Sequence, residues 1–314
     1  MSAWFRFVIA RLISAALVSW AVLSGVFMMA YWLPSDPAAA AVGPHADVAT
    51  VMRVREIMCL NKPFWGQYGC FVGRLFRADL GTSFRTGRPV AEILIERIVP
   101  TAELTCATFL GIFVIALPLS LLSAQAKSRR LLQATTLAGW AIQGLPPFVV
   151  GPVLAILFAH RVHWFPESGA GVGGLDRLRH LVLPTLTLMV FGIATYTRLL
   201  GVELRRAREM PHFRVALAKG ASEARALVVH ALPNAMGPVV AMAGVDLGAL
   251  LGGAAAVEYV FGWPGLGREA LLSVLELDLP VVLGVVLVTA VFVVVSNLMA
   301  DFMHAVIDPR LRPR

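Results

Sequence analysis

The chain has 314 residues, 58% of them hydrophobic and only 15% charged, with a mean hydropathy of +0.76 and a formal net charge of +8. Soluble domains carry about 25% charged residues, so a water-soluble protein of this composition would have to hide its apolar excess in one very large core. Instead the apolar residues stand in blocks of roughly 20, the length that crosses a bilayer, and the positive charge gathers in the short loops between them rather than in the basic-aromatic stripe of a nucleic-acid binder.

The first block covers about residues 9–33, behind Arg6 and Arg11. Ala38 to Ala41 imitate a signal cleavage site, but the block far exceeds the roughly 7–15 residues of a signal core. Residues 1–33 are therefore read as an N-terminal transmembrane helix. Residues 34–100 are mixed and too polar to span. They are expected to form an external segment of short amphipathic helices and loops on the outer membrane surface. Residues 101–307 hold five further blocks, at about 101–124, 132–159, 181–204, 232–261 and 280–307. Gly144-Leu145-Pro146-Pro147 interrupts the second of these, where proline removes a backbone donor and kinks or splits the helix. Residues 308–314 are a basic tail. Six spans place both termini on one side, and the clusters at 6–11, 127–130, 205–225 and 310–314 make that side the cytoplasm. Arg85 and Arg88 lie in the external segment, but long loops obey the charge rule poorly. The expected fold is an all-α integral membrane protein of six transmembrane helices. An external helical segment follows the first, and a short cytoplasmic helix lies between the fourth and fifth. No internal or inverted repeat of the secondary-transporter kind is visible.

The loop at 205–232 is the most informative. Pro211 can open a short helix at its first turn. Gly220 can close it in a left-handed cap. Ser222 can cap the next helix, with Glu223 favourable at its positive end. The result is a short helix at about 212–219, held crosswise between two longer ones. Ala216 and Ala218, with Phe213 and Leu217, fit a groove on a soluble partner. An ordinary amphipathic loop is the other reading of these residues.

Ala218-Lys219-Gly220, followed by His230 and then Leu232-Pro233-Asn234, resembles the cytoplasmic loop of binding-protein-dependent ABC permeases. In that family the loop is the coupling helix that docks into the ATPase subunit. The resemblance assigns ATPase coupling to Phe213, Arg214, Ala216, Leu217, Ala218, Lys219, Gly220, Ala221, Ser222, Glu223, His230 and Pro233. Further stretches resemble the oligopeptide/dipeptide/nickel branch: Leu33-Pro34-Ser35-Asp36-Pro37, with Ser35 where the branch usually has Gly; Asn61-Lys62-Pro63 with Gln67-Tyr68; and Asp79-Leu80-Gly81-Thr82-Ser83-Phe84 through Arg88-Pro89-Val90. Pro100-Thr101-Ala102-Glu103-Leu104-Thr105, Leu183-Pro184-Thr185-Leu186-Thr187-Leu188 and Asp308-Pro309-Arg310-Leu311-Arg312 match as well. The strongest match is Val257-Glu258-Tyr259-Val260-Phe261-Gly262-Trp263-Pro264-Gly265-Leu266-Gly267. The set runs nearly end to end and in order.

The resemblance implies a permease subunit of an ATP-driven importer in a bacterial inner membrane. A second related permease would share the translocation path, two ATPase subunits would bind ATP and Mg, and an extracytoplasmic binding protein would deliver the solute. The chain has no G-x-x-x-x-G-K-[ST] loop to cradle phosphates, so no cofactor is expected in it. Peptides, nickel or another metal chelate, opines and glutathione all remain open as cargo. The alternatives are an ion-coupled secondary transporter, which would want ionisable relays in several spans, and a structural membrane anchor.

Among single residues, Asp246 lies mid-block, where a carboxylate is expensive. It either lines the path and favours cationic cargo or bonds a neighbouring helix. The branch more often has a neutral polar residue there. Glu258, before the Trp263-Pro264-Gly265 turn, is read as an outer-gate residue or as a brace for that turn. His160 and His163 share a helical face, but two histidines do not make a metal site, and His230 reads as structural. No catalytic constellation and no CxxC pair is present. Cys59 and Cys70 fall in the external segment, where disulfides persist. In a straight hairpin turning at Pro63 their offset approaches about 9 Å by helical rise, beyond bridging distance; a bent hairpin would join them. Cys106, within the second span, is expected to stay reduced.

Overall fold

The computed structural model describes residues 3–32, 38, 47–77, 79–125 and 146–307. Its described residues form helices joined by turns and loops, with one isolated antiparallel bridge between Thr82 and Pro89. Five stretches are long and apolar enough to cross a bilayer: Leu12–Met29, Val90–Gln125, Gly174–Glu209, Glu223–Leu251 and Leu279–Met303. The third expected span runs over 126–145, outside the described residues. Its remainder is the shorter apolar helix Pro147–Arg161. The motif at 33–37, the basic cluster at 127–130 and the tail at 308–314 also lie outside the described residues.

The first helix, α1, is Ala3–Trp32. Two short helices follow, α2 (Val48–Ile57) and α3 (Phe64–Phe76). Aromatic rings of α3 pack along α1, Phe64 on Tyr31, Phe71 on Phe27 and Phe76 near Trp20. The pairs advance in opposite directions, so α3 runs antiparallel to α1. Ser24 Oγ and the Tyr68 hydroxyl add a hydrogen bond of 2.7 Å. Between α2 and α3 the backbone turns through Cys59, whose φ is +60°. That turn bends the hairpin and brings the Cys59 and Cys70 Cα atoms to 6.6 Å, with the two sulfurs bonded.

The long helix α4 (Val90–Gln125) starts well before residue 101, the expected start of the second span. Its first turns carry Val90, Ile93 and Leu94 on one face. These pack on Leu266, Val281 and Val285, and this burial carries the helix through Pro100. Next come α5 (Pro147–Leu154), with proline at its start, and a π-helical turn, Ala155–Arg161. Helix α6 (Gly174–Glu209) lies along α4. The Gly111 backbone abuts Met189, Gly192 abuts Ile112 and Gly201 abuts Ser123. Both numbers rise together, so α4 and α6 run parallel.

The block read as one span at 232–261 is two helices, α9 (Leu232–Gly253) and α10 (Ala255–Val260). Before them stand α7 (Pro211–Ala218) and α8 (Glu223–Ala226), joined to α9 by a second π-helical turn, Leu227–Ala231. Helices α11 (Leu266–Leu275) and α12 (Leu279–Ile307) complete the described chain. Gly244 meets Ala300 and Gly248 meets Val293, an antiparallel contact of α9 with α12. The largest buried cluster, including Tyr196, Leu200, Leu204, Leu227 and Val239, joins α4, α6, α7, α8 and α9.

Candidate functional site

The short helix α7 is built by its own ends. Met210 is extended and Pro211 occupies the first turn. At the other end Gly220 takes φ +85°, and the amides of Gly220 and Ala221 return to the carbonyls of Leu217 and Ala216. The Ser222 Oγ then accepts from the Arg225 amide at 3.3 Å, capping α8. Further on, Pro233 offers no N–H to the turn before it, and the chain widens there into the π-helical turn that leaves His230 exposed. The Asn234 side chain donates to the His230 carbonyl at 2.8 Å and lies 3.4 Å from His212 Nε2.

The facing of α7 departs from the sequence reading. Phe213 and Ala216, expected on a face toward a soluble partner, are 3% and 6% exposed. They pack into the chain's own core beside Ala226 and Leu227. With only eight residues, α7 needs its largest ring as an anchor. The outward side carries His212, Arg214, Val215, Leu217, Ala218 and Lys219, all exposed. Arg208, which the sequence reading did not single out, holds the anchor in place. It donates to the Ala124 carbonyl at the end of α4 and to the Glu223 carboxylate. Its guanidinium lies 5.9 Å from the centre of the Phe213 ring. No periodic or motif signal marks it.

The stretches quoted between residues 79 and 105 converge with the 257–267 turn at the opposite end of the helices. Glu258 is fully buried. It accepts from Thr101 Oγ1 and from the Arg268 amide, each at 2.9 Å. Thr101 Oγ1 in turn accepts from the Leu266 amide at 2.7 Å, and Trp263 Nε1 donates to the Pro100 carbonyl at 2.9 Å. Arg177 lies over the Trp263 ring and pairs with Glu103. A second tie lies beside this one. The buried Asp278 carboxylate accepts from Ser83 Oγ at 2.5 Å and from the Phe84 amide at 3.0 Å. Glu269 sits between Arg85 and Arg97, at 3.1 and 3.0 Å. Glu258 thus holds the turn against α4, in the geometry of a brace.

Asp246 is tied to a neighbouring helix. Its Oδ2 accepts from the buried Tyr196 hydroxyl at 2.7 Å, which joins α9 to α6. His160 and His163 are both exposed, and His163 has left the helix with φ +58°. No group of three His, Cys, Asp or Glu side chains able to hold a metal occurs among the described residues.

Residues 116–313 match the family described as the inner membrane component of binding-protein-dependent transport systems, and residues 4–105 match the N-terminal part of the same membrane component. The chain is similar to the glutathione transport system permease protein GsiC of Escherichia coli K12, at 33% identity over 98% of this chain and 99% of that one. The protein of the same name from Pectobacterium atrosepticum is 34% identical over 91% and 92%. Among solved structures, a chain of the MetNI methionine ABC transporter in an inward-facing form superposes with a TM-score of 0.57. The match covers 69% of this chain and 96% of that one, at 18% identity, and is a likeness of fold.

Proposed function

Because the chain belongs to the family of inner-membrane components of binding-protein-dependent transport systems, we propose that α7 is the element through which it receives the work of ATP hydrolysis. The chain is a membrane-spanning permease subunit of an ABC importer and not an enzyme. ATP and Mg belong to two ATPase subunits that dock on the loop 205–232. A second related permease forms the other half of the path, and an extracytoplasmic binding protein delivers the solute. Both termini face the cytoplasm of a bacterial cell, and residues 34–100 lie outside.

The observation that carries this reading is the presentation of α7. It is a short helix opened by Pro211 and closed by Gly220, anchored inward by Phe213 and Ala216 and exposed along its other side between two membrane-crossing helices. The match to the binding-protein-dependent family favours this reading over an ion-coupled transporter. The solute proposed is a small peptide-like molecule, with glutathione first, on the strength of near full-length similarity to two glutathione permeases.

The test is recovery of the tagged chain from membranes of cells that also express its ATPase subunits. ATP-hydrolysing subunits are expected to co-purify with the wild type and to be lost from Gly220→Val, whose membrane insertion stays intact. Recovery of a wild-type chain free of any ATPase refutes the docking reading. Uptake of labelled glutathione that is unchanged on deletion of the chain refutes the solute.

A further inference from the structure

Beside α7 the surface sinks into a depression of about 530 Å³, lined by His212, Val215, Lys219, Gly220, Arg225 and His230, with Ala216 and Ala221 completing it. Its lining is one-signed. Lys219 and Arg225 bring two cationic side chains, the histidines bring two imidazoles, and no lining residue is acidic. Neither Lys219 nor Arg225 has a carboxylate partner among the described residues. Of the acids flanking α7, Glu223 is engaged by Arg208, and Glu209, which precedes the helix, is not part of the lining. The walls are tied to each other, because Asn234 reaches both His212 and the His230 carbonyl. The rim at Gly220 is open, with nothing within 4 Å of where a side chain would begin.

A built, unpaired basic hollow beside the exposed side of a docking helix is complementary to a negative group. Complementary charge fixes register and speeds encounter. We propose that this depression receives a carboxylate side chain, Asp or Glu, projecting from the ATPase subunit. Lys219 and Arg225 pair with that carboxylate, while Val215 on the rim meets apolar surface around it. This inference rests on the ATPase-docking reading of α7 and adds the charge of the partner.

The experiment uses the full permease in lipid nanodiscs, immobilised, with its own purified ATPase subunits flowed over it at several NaCl concentrations. Wild-type affinity is expected to fall as salt rises from about 50 mM to about 500 mM, because a rim charge pair is screened within roughly one Debye length. The double reversal Lys219→Glu with Arg225→Glu is expected to weaken binding at least about tenfold at low salt, with the gap closing at high salt. The conservative pair Lys219→Arg with Arg225→Lys should bind as the wild type does. All of these positions are exposed, and equal yield of monodisperse protein checks the fold. Salt-independent binding that the reversal does not weaken overturns the charge inference and leaves docking at α7 standing. Wild-type failure to bind at any salt overturns both. Loss of co-purifying anionic phospholipid on reversal, with ATPase binding unchanged, assigns the hollow to a lipid headgroup and also overturns it.

Discussion

Glu258 is a carboxylate with no exposed surface, a position whose desolvation must be offset by hydrogen bonds. Thr101 and the Arg268 amide supply them. Replacing it with Ala strands both donors, at about 1–3 kcal/mol for each. The expected result is a clearly lower melting temperature of the purified chain in detergent, with Glu258→Gln intermediate because its amide oxygen still accepts. An unchanged melting point for Glu258→Ala would falsify the brace. Asp246 is treated the same way. Asp246→Asn and Tyr196→Phe should each lower stability, and the double variant should lose less than the sum, since both remove one bond. Normal stability with loss confined to cationic cargo would instead make Asp246 a path residue. Both acids were legible in the sequence as carboxylates in apolar surroundings. Glu269 and Asp278 were not, because their partners Arg97 and Ser83 lie 172 and 195 residues away, and nothing local marks such a pair.

At the scale of elements, the antiparallel contact of α9 and α12 depends on glycine. A Cβ added at Gly244 would come within 2.0 Å of the Ala300 Cβ. Small residues at this spacing let membrane helices approach closely. Gly244→Ala should cost about 1–3 kcal/mol by overpacking, while Gly69→Ala, which meets nothing within 4 Å, serves as a control. Equal thermal stability of the two variants would sink the argument. Gly220 is the opposite case: space is free around it, and only its φ of +85° matters. Val there should cost about 1–3 kcal/mol of local strain, whereas Asn, which tolerates that region, should keep ATPase recovery near wild type. The ends of α7 could be read from the sequence because caps are local. Its facing could not, because apolar residues on so short a helix serve either side. Its largest ring turned inward, toward a core assembled from four other helices.

For the whole molecule, the alternation of apolar blocks and basic loops gave the membrane architecture. The missing detail lies where polar segments fold on distant partners, as the 79–89 loop does on α11 and α12. The disulfide tests the arrangement of the whole chain, because it links fold, compartment and topology. Bonded sulfurs at Cys59 and Cys70 persist only in an oxidising compartment. The topology proposed above, with both termini in the cytoplasm, puts the α2–α3 hairpin on that oxidising side. Closing a loop of 11 residues in sequence separation stabilises the hairpin by roughly 2–3 kcal/mol in the chain-entropy model. The bend at Cys59 makes the closure reachable, and Gln67 reinforces it by donating to the carbonyls of Leu60 and Lys62. Cys106 is free and exposed on the side of α4, where lipid would shield it from water-soluble reagents. Alkylation of unreduced membranes followed by mass spectrometry should therefore find Cys59 and Cys70 joined and unlabelled. A membrane-permeant maleimide should reach Cys106, and a charged one should not. After reduction, a charged maleimide added to intact spheroplasts should label Cys59 and Cys70 from the outside. Free label on both of them before reduction would rule out the bridge. Labelling after reduction only in inverted vesicles would place the hairpin in the cytoplasm and overturn the topology.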